Sequence, residues 1–206
     1  MPKMLDLIRM SMRGELPPPP VATLIGVRPT SVEPGRAVVE FEAAERHANP
    51  VGTLHGGILC DVADAAMGLA YASTLEEGET FTTLELKINF LRPVWNARLR
   101  AVADVINGGR TIGLVTCDVL DEGDRLVARA TSTCMTLRGE QAAGRESWSF
   151  RSAGGRRGAA GRAGRGVGRS RRSLPSGGSA GRAAGPACGP RGSPATADGS
   201  PPEGVA

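Results

Sequence analysis

Apolar positions along this chain fall into helical and alternating patterns that mark out its elements. Residues 3–12 place Met4, Leu5, Leu7, Ile8 and Met12 at helical spacing, which predicts a short amphipathic helix. The run Pro17 to Pro20 ends it, because proline lacks an N–H and restricts the residue before it. Residues 22–28 read as a first strand, Gly35 as a turn, and residues 36–42 as a second strand with one buried face. Residues 45–54 form a loop carrying Asn49, Pro50 and Gly52. Residues 56–73 are rich in alanine and leucine and too long for a strand, so a helix is expected. That stretch is apolar nearly all round, which predicts burial on most sides. Its small residues, Ala63, Ala65, Ala66, Gly68 and Ala70, would let another backbone approach closely. Four strand-like runs follow at 80–91, 98–107, 111–121 and 125–138. They are separated by turn signals at Pro93, Asn107-Gly108-Gly109 and Asp121-Glu122-Gly123-Asp124.

This order implies an α+β fold in which an antiparallel sheet wraps around one central helix. A single helix cannot cover a long curved sheet, so a dimer that extends the sheet is expected. Two aspartates, Asp61 and Asp64, interrupt the apolar helix. Burying a carboxylate without a partner is costly, so such a residue usually has a task. Asp61 has a plain explanation, since an acid in the first helical turn is favoured by the dipole. Asp64 lies seven residues after Gly57, two turns along one face. Gly57 falls at the helix start, where backbone N–H groups are expected to be unpaired. One segment then carries an oxyanion donor and a carboxylate base.

The same residues carry a resemblance. Asn49-Pro-x-Gly-x-x-His55-Gly56-Gly57, with Asp64 following, resembles the signature of hotdog-fold acyl-CoA thioesterases of the phenylacetic-acid-degradation (PaaI-type) group. Residues 83–93, Thr-Leu-Glu-Leu-Lys-Ile-Asn-Phe-Leu-Arg-Pro, resemble the strand and turn that follow the central helix in that family. The likeness spans about residues 21–138. It implies a hotdog fold that hydrolyses an acyl-CoA to a free acid and coenzyme A, without a cofactor or metal. It further implies that the Gly57 N–H receives the thioester oxygen and that Asp64 acts from the partner subunit's helix, as base or nucleophile. By the same likeness Thr83 helps hold the water, Asn49 contacts the reacting centre and His55 supports the loop and polarises the thioester. Gly56 belongs to the same substrate-binding turn. Thr82, on the opposite face of the strand, would replace Thr83 if the register slipped by one. Thr83 also shares alternation with Glu85 and Lys87, which read as a solvated face. Arg92 and Arg110 sit at turns and are candidates for the phosphates of coenzyme A. A non-catalytic acyl-CoA-binding or regulatory protein on the same fold is the main alternative, and the pairing of Asp64 with a glycine turn argues against it. A hotdog dehydratase would pair histidine and acid differently.

Charge divides the chain. Residues 1–143 hold 14 Lys+Arg against 18 Asp+Glu, a net −4, whereas residues 144–206 hold 11 Arg against 3 Asp+Glu, a net +8. The basic balance is thus a property of the tail and says nothing about partners of the folded part. The expected organisation is an N-terminal helix and Pro-rich linker over 1–20, a thioesterase domain over 21–140, and a disordered Gly/Ala/Arg/Pro-rich tail over 141–206. The tail's arginines lack interleaved aromatics, so no specific nucleic acid is expected as a partner. Cys60, Cys117, Cys134 and Cys188 show no metal-ligand spacing. No signal peptide and no membrane span is read, and a cytoplasmic protein forming a dimer or a dimer of dimers is the expectation. Removing residues 140–206 is expected to leave the melting temperature and kcat/KM nearly unchanged. A fall of several degrees would mean that the tail packs on the domain, with Trp148 and Phe150 the first residues to test.

Overall fold

A computed structural model describes residues 3–145 of this chain. The expected tail beyond them, with Trp148, Phe150 and Cys188, lies outside the described residues. The chain runs α1 (Met4–Met12), α2 (Pro20–Ile25), β1 (Arg28–Glu33), β2 (Arg36–Ala43), α3 (Gly56–Ala72), β3 (Thr80–Phe90), β4 (Ala97–Gly108), β5 (Ile112–Leu120) and β6 (Leu126–Leu137). Single 3₁₀ turns stand at Glu45–His47 and Gly139–Ala142. The strand expected over 22–28 is instead α2, and the first strand follows it. Pro20 takes a helix-start position, where a missing N–H costs nothing and φ is already helical. Gly26, at φ +91°, stops α2 in the left-handed region that favours glycine. The proline run does not end α1, which stops at Met12 with Gly14 in the left-handed region at φ +77°; its last proline begins α2.

The six strands of the described residues pair antiparallel in the order β1-β2-β4-β5-β6-β3. Ala37, Val39, Phe41 and Ala43 of β2 face inward opposite Ala103, Ala101, Leu99 and Ala97 of β4. Val115, Cys117 and Val119 continue that face on β5, and Ala128, Ala130, Ser132 and Cys134 on β6. Alanines on β4 and β6 leave room for the helix to sit close to the backbone. α3 fills the room with Leu59, Val62, Ala63, Ala66, Met67, Ala70 and Tyr71, spaced three and four apart. As burial on most sides implies, all of α3 is buried or half-buried except two residues, and one face is core. The other carries Gly57, Cys60, Ala65, Gly68 and the exposed Asp61 and Asp64.

β3 is a sheet edge, eleven residues long, and lies beside that second face. Its pairing with β6 shifts between Thr83, opposite Cys134, and Glu85, opposite Thr133. Leu84 is the extra residue, a β-bulge that reverses the alternation. Phe81 and Thr83 on one side of it, and Leu86, Ile88 and Phe90 on the other, all share the inward face. Glu85 and Lys87 face outward. The sequence-level conflict between Thr83 and the solvated positions is removed by this one residue.

Gly113 on β5 faces Tyr71, which is 2% exposed and whose hydroxyl hydrogen-bonds with Thr136 Oγ1 at 2.8 Å. A Cβ at Gly113 would stand 2.3 Å from Tyr71 Cε2. Gly113→Ala is expected to destabilise the fold by ~1–3 kcal/mol, the usual cost of overpacking. Thermal unfolding of the variant, showing a lower melting temperature, is the check.

Candidate active site

The loop before α3 is built by one side chain. Asn49 Oδ1 accepts from the N–H groups of Val51 at 3.0 Å and Thr53 at 3.2 Å, and its Nδ2 donates to Thr53 Oγ1 at 2.8 Å. The Asn49 N–H donates to the Thr53 carbonyl at 2.7 Å, which closes the turn. Asn49 is thus a loop-former whose side chain also lines the neighbouring cleft. His47 anchors the other side. Its Nδ1 accepts from the Ala44 N–H at 3.2 Å, its carbonyl from the His55 N–H at 2.9 Å, and its ring packs on Phe41.

His55 caps α3. Its Nδ1 accepts the Gly57 N–H at 2.9 Å, so the imidazole holds one of the helix's orphan donors. This corrects the expectation for Gly57, whose N–H is occupied rather than free. The Gly56 N–H, in the same first turn, has no hydrogen-bond partner among the described residues. It opens on a cleft of about 440 Å³ lined by Asn49, Leu54, Leu59, Phe90, Arg92 and Val94, among others. A Cβ at Gly56 would stand 3.0 Å from Phe90 Cζ, so only glycine leaves that mouth open with the ring where it is. Nothing in the sequence pattern singles out Phe90 or His47. The bulge that turns Phe90 inward has no signature of its own.

Asp64 lies along the same flank of α3. It is exposed in the single chain, yet neighbouring atoms crowd its carboxylate enough to desolvate it. That desolvation raises its pKa above the usual aspartate value. A contact from Thr83 Oγ1 to Asp64 Oδ1, long at 3.5 Å, pulls it down, and the charge of Asp61 adds to the rise. Thr83, not Thr82, is the threonine that meets the carboxylate. Asp64 is eight residues from Gly56, which at 1.5 Å per residue is ~12 Å along the helix. One carbonyl group cannot touch both within one chain. The single-segment arrangement of donor and base therefore does not hold in a monomer. Arg92 is exposed at the cleft, whereas Arg110 sits at the β4–β5 turn and does not line it. Among the described residues no group of three or more His, Cys, Asp or Glu is placed to hold a metal.

A sheet curled round one long helix, with its polar groups on the helix flank beside an edge strand, is the hotdog arrangement. The thioesterase superfamily model matches residues 51–128, which include the α3 flank and β3. Similar proteins include the 1,4-dihydroxy-2-naphthoyl-CoA hydrolase of Listeria monocytogenes, 31% identical over 53% of this chain and 89% of that protein. Acyl-coenzyme A thioesterase 13 of Homo sapiens is 27% identical over 50% of this chain and 74% of its own length. Among solved structures, a mutant of the phenylacetic acid degradation protein PaaI from Thermus thermophilus superposes with a TM-score of 0.54 at 31% identity. The match covers 58% of this chain and 100% of that one. The chain belongs to the thioesterase superfamily, as a PaaI-like hotdog thioester hydrolase.

His47 gives the site a pH dependence. Burial holds its pKa below the usual histidine value, the charge of Arg46 adds to this, and the Ile25 backbone opposes it. A histidine kept neutral in the fold contributes stability that is present above the unfolded value of about 6.5 and lost as pH falls through its lower folded value. Melting temperature is expected to decline below about pH 6.5, and His47→Gln is expected to flatten that part of the curve. Parallel profiles for the two proteins would contradict it.

Proposed function

We propose that this protein hydrolyses an acyl-CoA thioester in sites shared between two copies of the chain. The Gly56 N–H of one copy receives the thioester oxygen. Asp64 of the other, steadied by its own Thr83, activates water or attacks directly. The observation that carries the reading is the ~12 Å between Gly56 and Asp64 on a flank that adjoins an unpaired strand edge. A two-fold axis through the middle of β3 would pair it antiparallel with its copy. The Gly56 and Phe90 end of one subunit would then stand over the Asp64 and Thr83 end of the other. An edge strand of this length without proline also favours such pairing.

In this reading His55 holds the Gly57 N–H and fixes the first turn of α3, so that the neighbouring Gly56 N–H points into the cleft. Asn49 shapes the rim, and Arg92 is the cation placed for a coenzyme A phosphate. Arg110 would meet the nucleotide only from across an interface. The raised pKa of Asp64 suits a base that must take up a proton near neutral pH. The functional domain would span residues 21–140. The free cysteines Cys60, Cys117 and Cys134 suit a reducing compartment, and we assign the protein to the cytoplasm on that ground. No helix among the described residues is long and apolar enough to cross a membrane.

Two variants separate the halves of the site. Asp64→Asn is expected to lower kcat by ~10²–10⁴ with the fold intact. Gly56→Pro removes the N–H at a position where proline suits both the helix start and the extended His55 before it, at ψ 131°, and Gly56→Ala, which brings a Cβ against Phe90 but keeps the N–H, is its control. A kcat loss of ~10²–10³ is expected. Each variant alone is then nearly inactive, and co-refolding the two should restore part of the wild-type turnover of an acyl-CoA panel, because mixed dimers contain one intact site. Restoration would be absent if donor and base came from the same chain. Near-normal hydrolysis by Asp64→Asn would remove the site assignment altogether.

A further inference from the structure

Thr83 reaches Asp64 only because β3 carries the bulge at Leu84, and the strand's own pairing does not dictate which residue bulges. The bulge lies opposite a buried polar cluster on β6. Ser132 is 1% exposed in a stretch where inward neighbours are Ala128, Ala130 and Cys134. A buried hydroxyl in such a place is costly unless it is bonded. Ser132 Oγ donates to the Glu85 carbonyl at 2.9 Å, on the residue immediately after the bulged Leu84. The Cys134 thiol, directly opposite Thr83, lies 3.8 Å from the same hydroxyl. On the outer face Thr133 Oγ1 donates to Glu85 Oε1 at 3.2 Å. Glu85 is therefore held from both faces of β6, by its carbonyl from within and its carboxylate from without.

We infer that Ser132 is a positioning residue for the thioesterase site. Its hydroxyl pins the Glu85 carbonyl, fixes the bulge at Leu84 and so turns Thr83 toward Asp64. Without that bond the extra residue can migrate along β3, and each step of migration reverses the facing of the residue it passes. Migration toward the start of the strand, past Thr83, would point it outward, to the side of Glu85 and Lys87, and Asp64 would lose the one side chain among the described residues that hydrogen-bonds it. The inference rests on the reading of Asp64 as the reacting carboxylate. The groups that face Asp64 are Asp61 and Cys60 on its own helix, Thr83 on β3 and Cys134 on β6. Of these, Thr83 alone holds the anion by a hydrogen bond and lowers its pKa.

The test compares the pH profile of kcat/KM for wild type, Thr83→Val, Ser132→Ala and the double variant, with an acyl-CoA substrate. A base works only when ionised, so activity falls as pH drops through the Asp64 pKa. Loss of the Thr83 bond moves that limb to higher pH. Ser132→Ala is expected to move the limb in the same direction as Thr83→Val and to lower kcat/KM by ~10-fold to 10²-fold, the scale of a misplaced group. The double variant should match the more affected single variant rather than add to it. A weakened core alone would lower the melting temperature and leave the limb in place. An unmoved limb in Ser132→Ala, or additive shifts in the double variant, overturns the inference. Should Ser132→Ala fail to fold, Ser132→Cys keeps the shape with a weaker donor, and its limb should shift less but in the same direction. Should Thr83→Val and Asp64→Asn both leave the profile unchanged, the site reading itself has failed, and this inference with it.

Discussion

The close seat of α3 on the sheet is the contact from which the rest of the molecule follows. Alanines at 97, 101 and 103 on β4, and at 128 and 130 on β6, remove the side-chain layer that would otherwise hold helix and sheet apart. The helix answers with its own small residues, Ala63, Ala66 and Ala70, around the larger Leu59, Val62, Met67 and Tyr71. Such interiors pack to crystal-like density, so the helix has little freedom to roll. Its rotation fixes which residues face away from the core. Gly56, Cys60 and Asp64, four apart, then form one line along the flank that β3 borders.

That flank has a chemical group at each end of the stretch from Gly56 to Asp64. At the N-terminal end the Asn49 turn, the His47 anchor and the His55 cap hold backbone donors in place. At the other end Asp64 meets Thr83. Helix geometry sets the distance between the ends, and no side-chain rearrangement can shorten it. A reaction that needs both on one carbonyl must bring in a second copy, and the free edge of β3 is where that copy has hydrogen bonds to gain. In the proposed reaction, catalysis and assembly would become one requirement. The monomer's exposed Leu84, Phe90 and Leu91 fit the same requirement, since apolar groups beside an unpaired edge are poorly placed in water.

Much of this was legible in the residues. The central helix and the four later strands stand within one or two residues of the boundaries their periodicity implies. The Asn49 to Asp64 spacing located the flank. Three things were not legible, each for a physical reason. Pro20 looks like a terminator because proline ends helices, but at a first helical position it starts one, and residues 20–25 became α2 rather than a strand. Gly57 looks like a free donor because helix starts leave N–H groups orphaned, but a histidine ring two residues earlier can fold back and take one. The facing of Thr83 was ambiguous because strict alternation assumes a regular strand, and a single extra residue inverts it.

The bulge has a role that a regular strand could not fill. With unbroken alternation, inward Leu86, Ile88 and Phe90 would put Thr82 beside Asp64 and send Thr83 out to solvent with Phe81. Tyr71 would then lose the ring it meets edge-on at 5.5 Å, and the far end of α3 would lose its cover. The strand has to satisfy two demands with different parity: an aromatic against Tyr71 and Gly68 at its start, and aliphatic and aromatic side chains against α3 and Gly56 at its end. One inserted residue reconciles them, at the expense of the ladder position at Leu84, and the carbonyl of the next residue, Glu85, takes a side-chain donor. Ser132 supplies that donor from inside the core, where a hydroxyl would otherwise be a liability. The buried Ser132 hydroxyl is thus explained by the local irregularity of the neighbouring strand, and in the proposed site that irregularity is explained by the carboxylate that Thr83 meets.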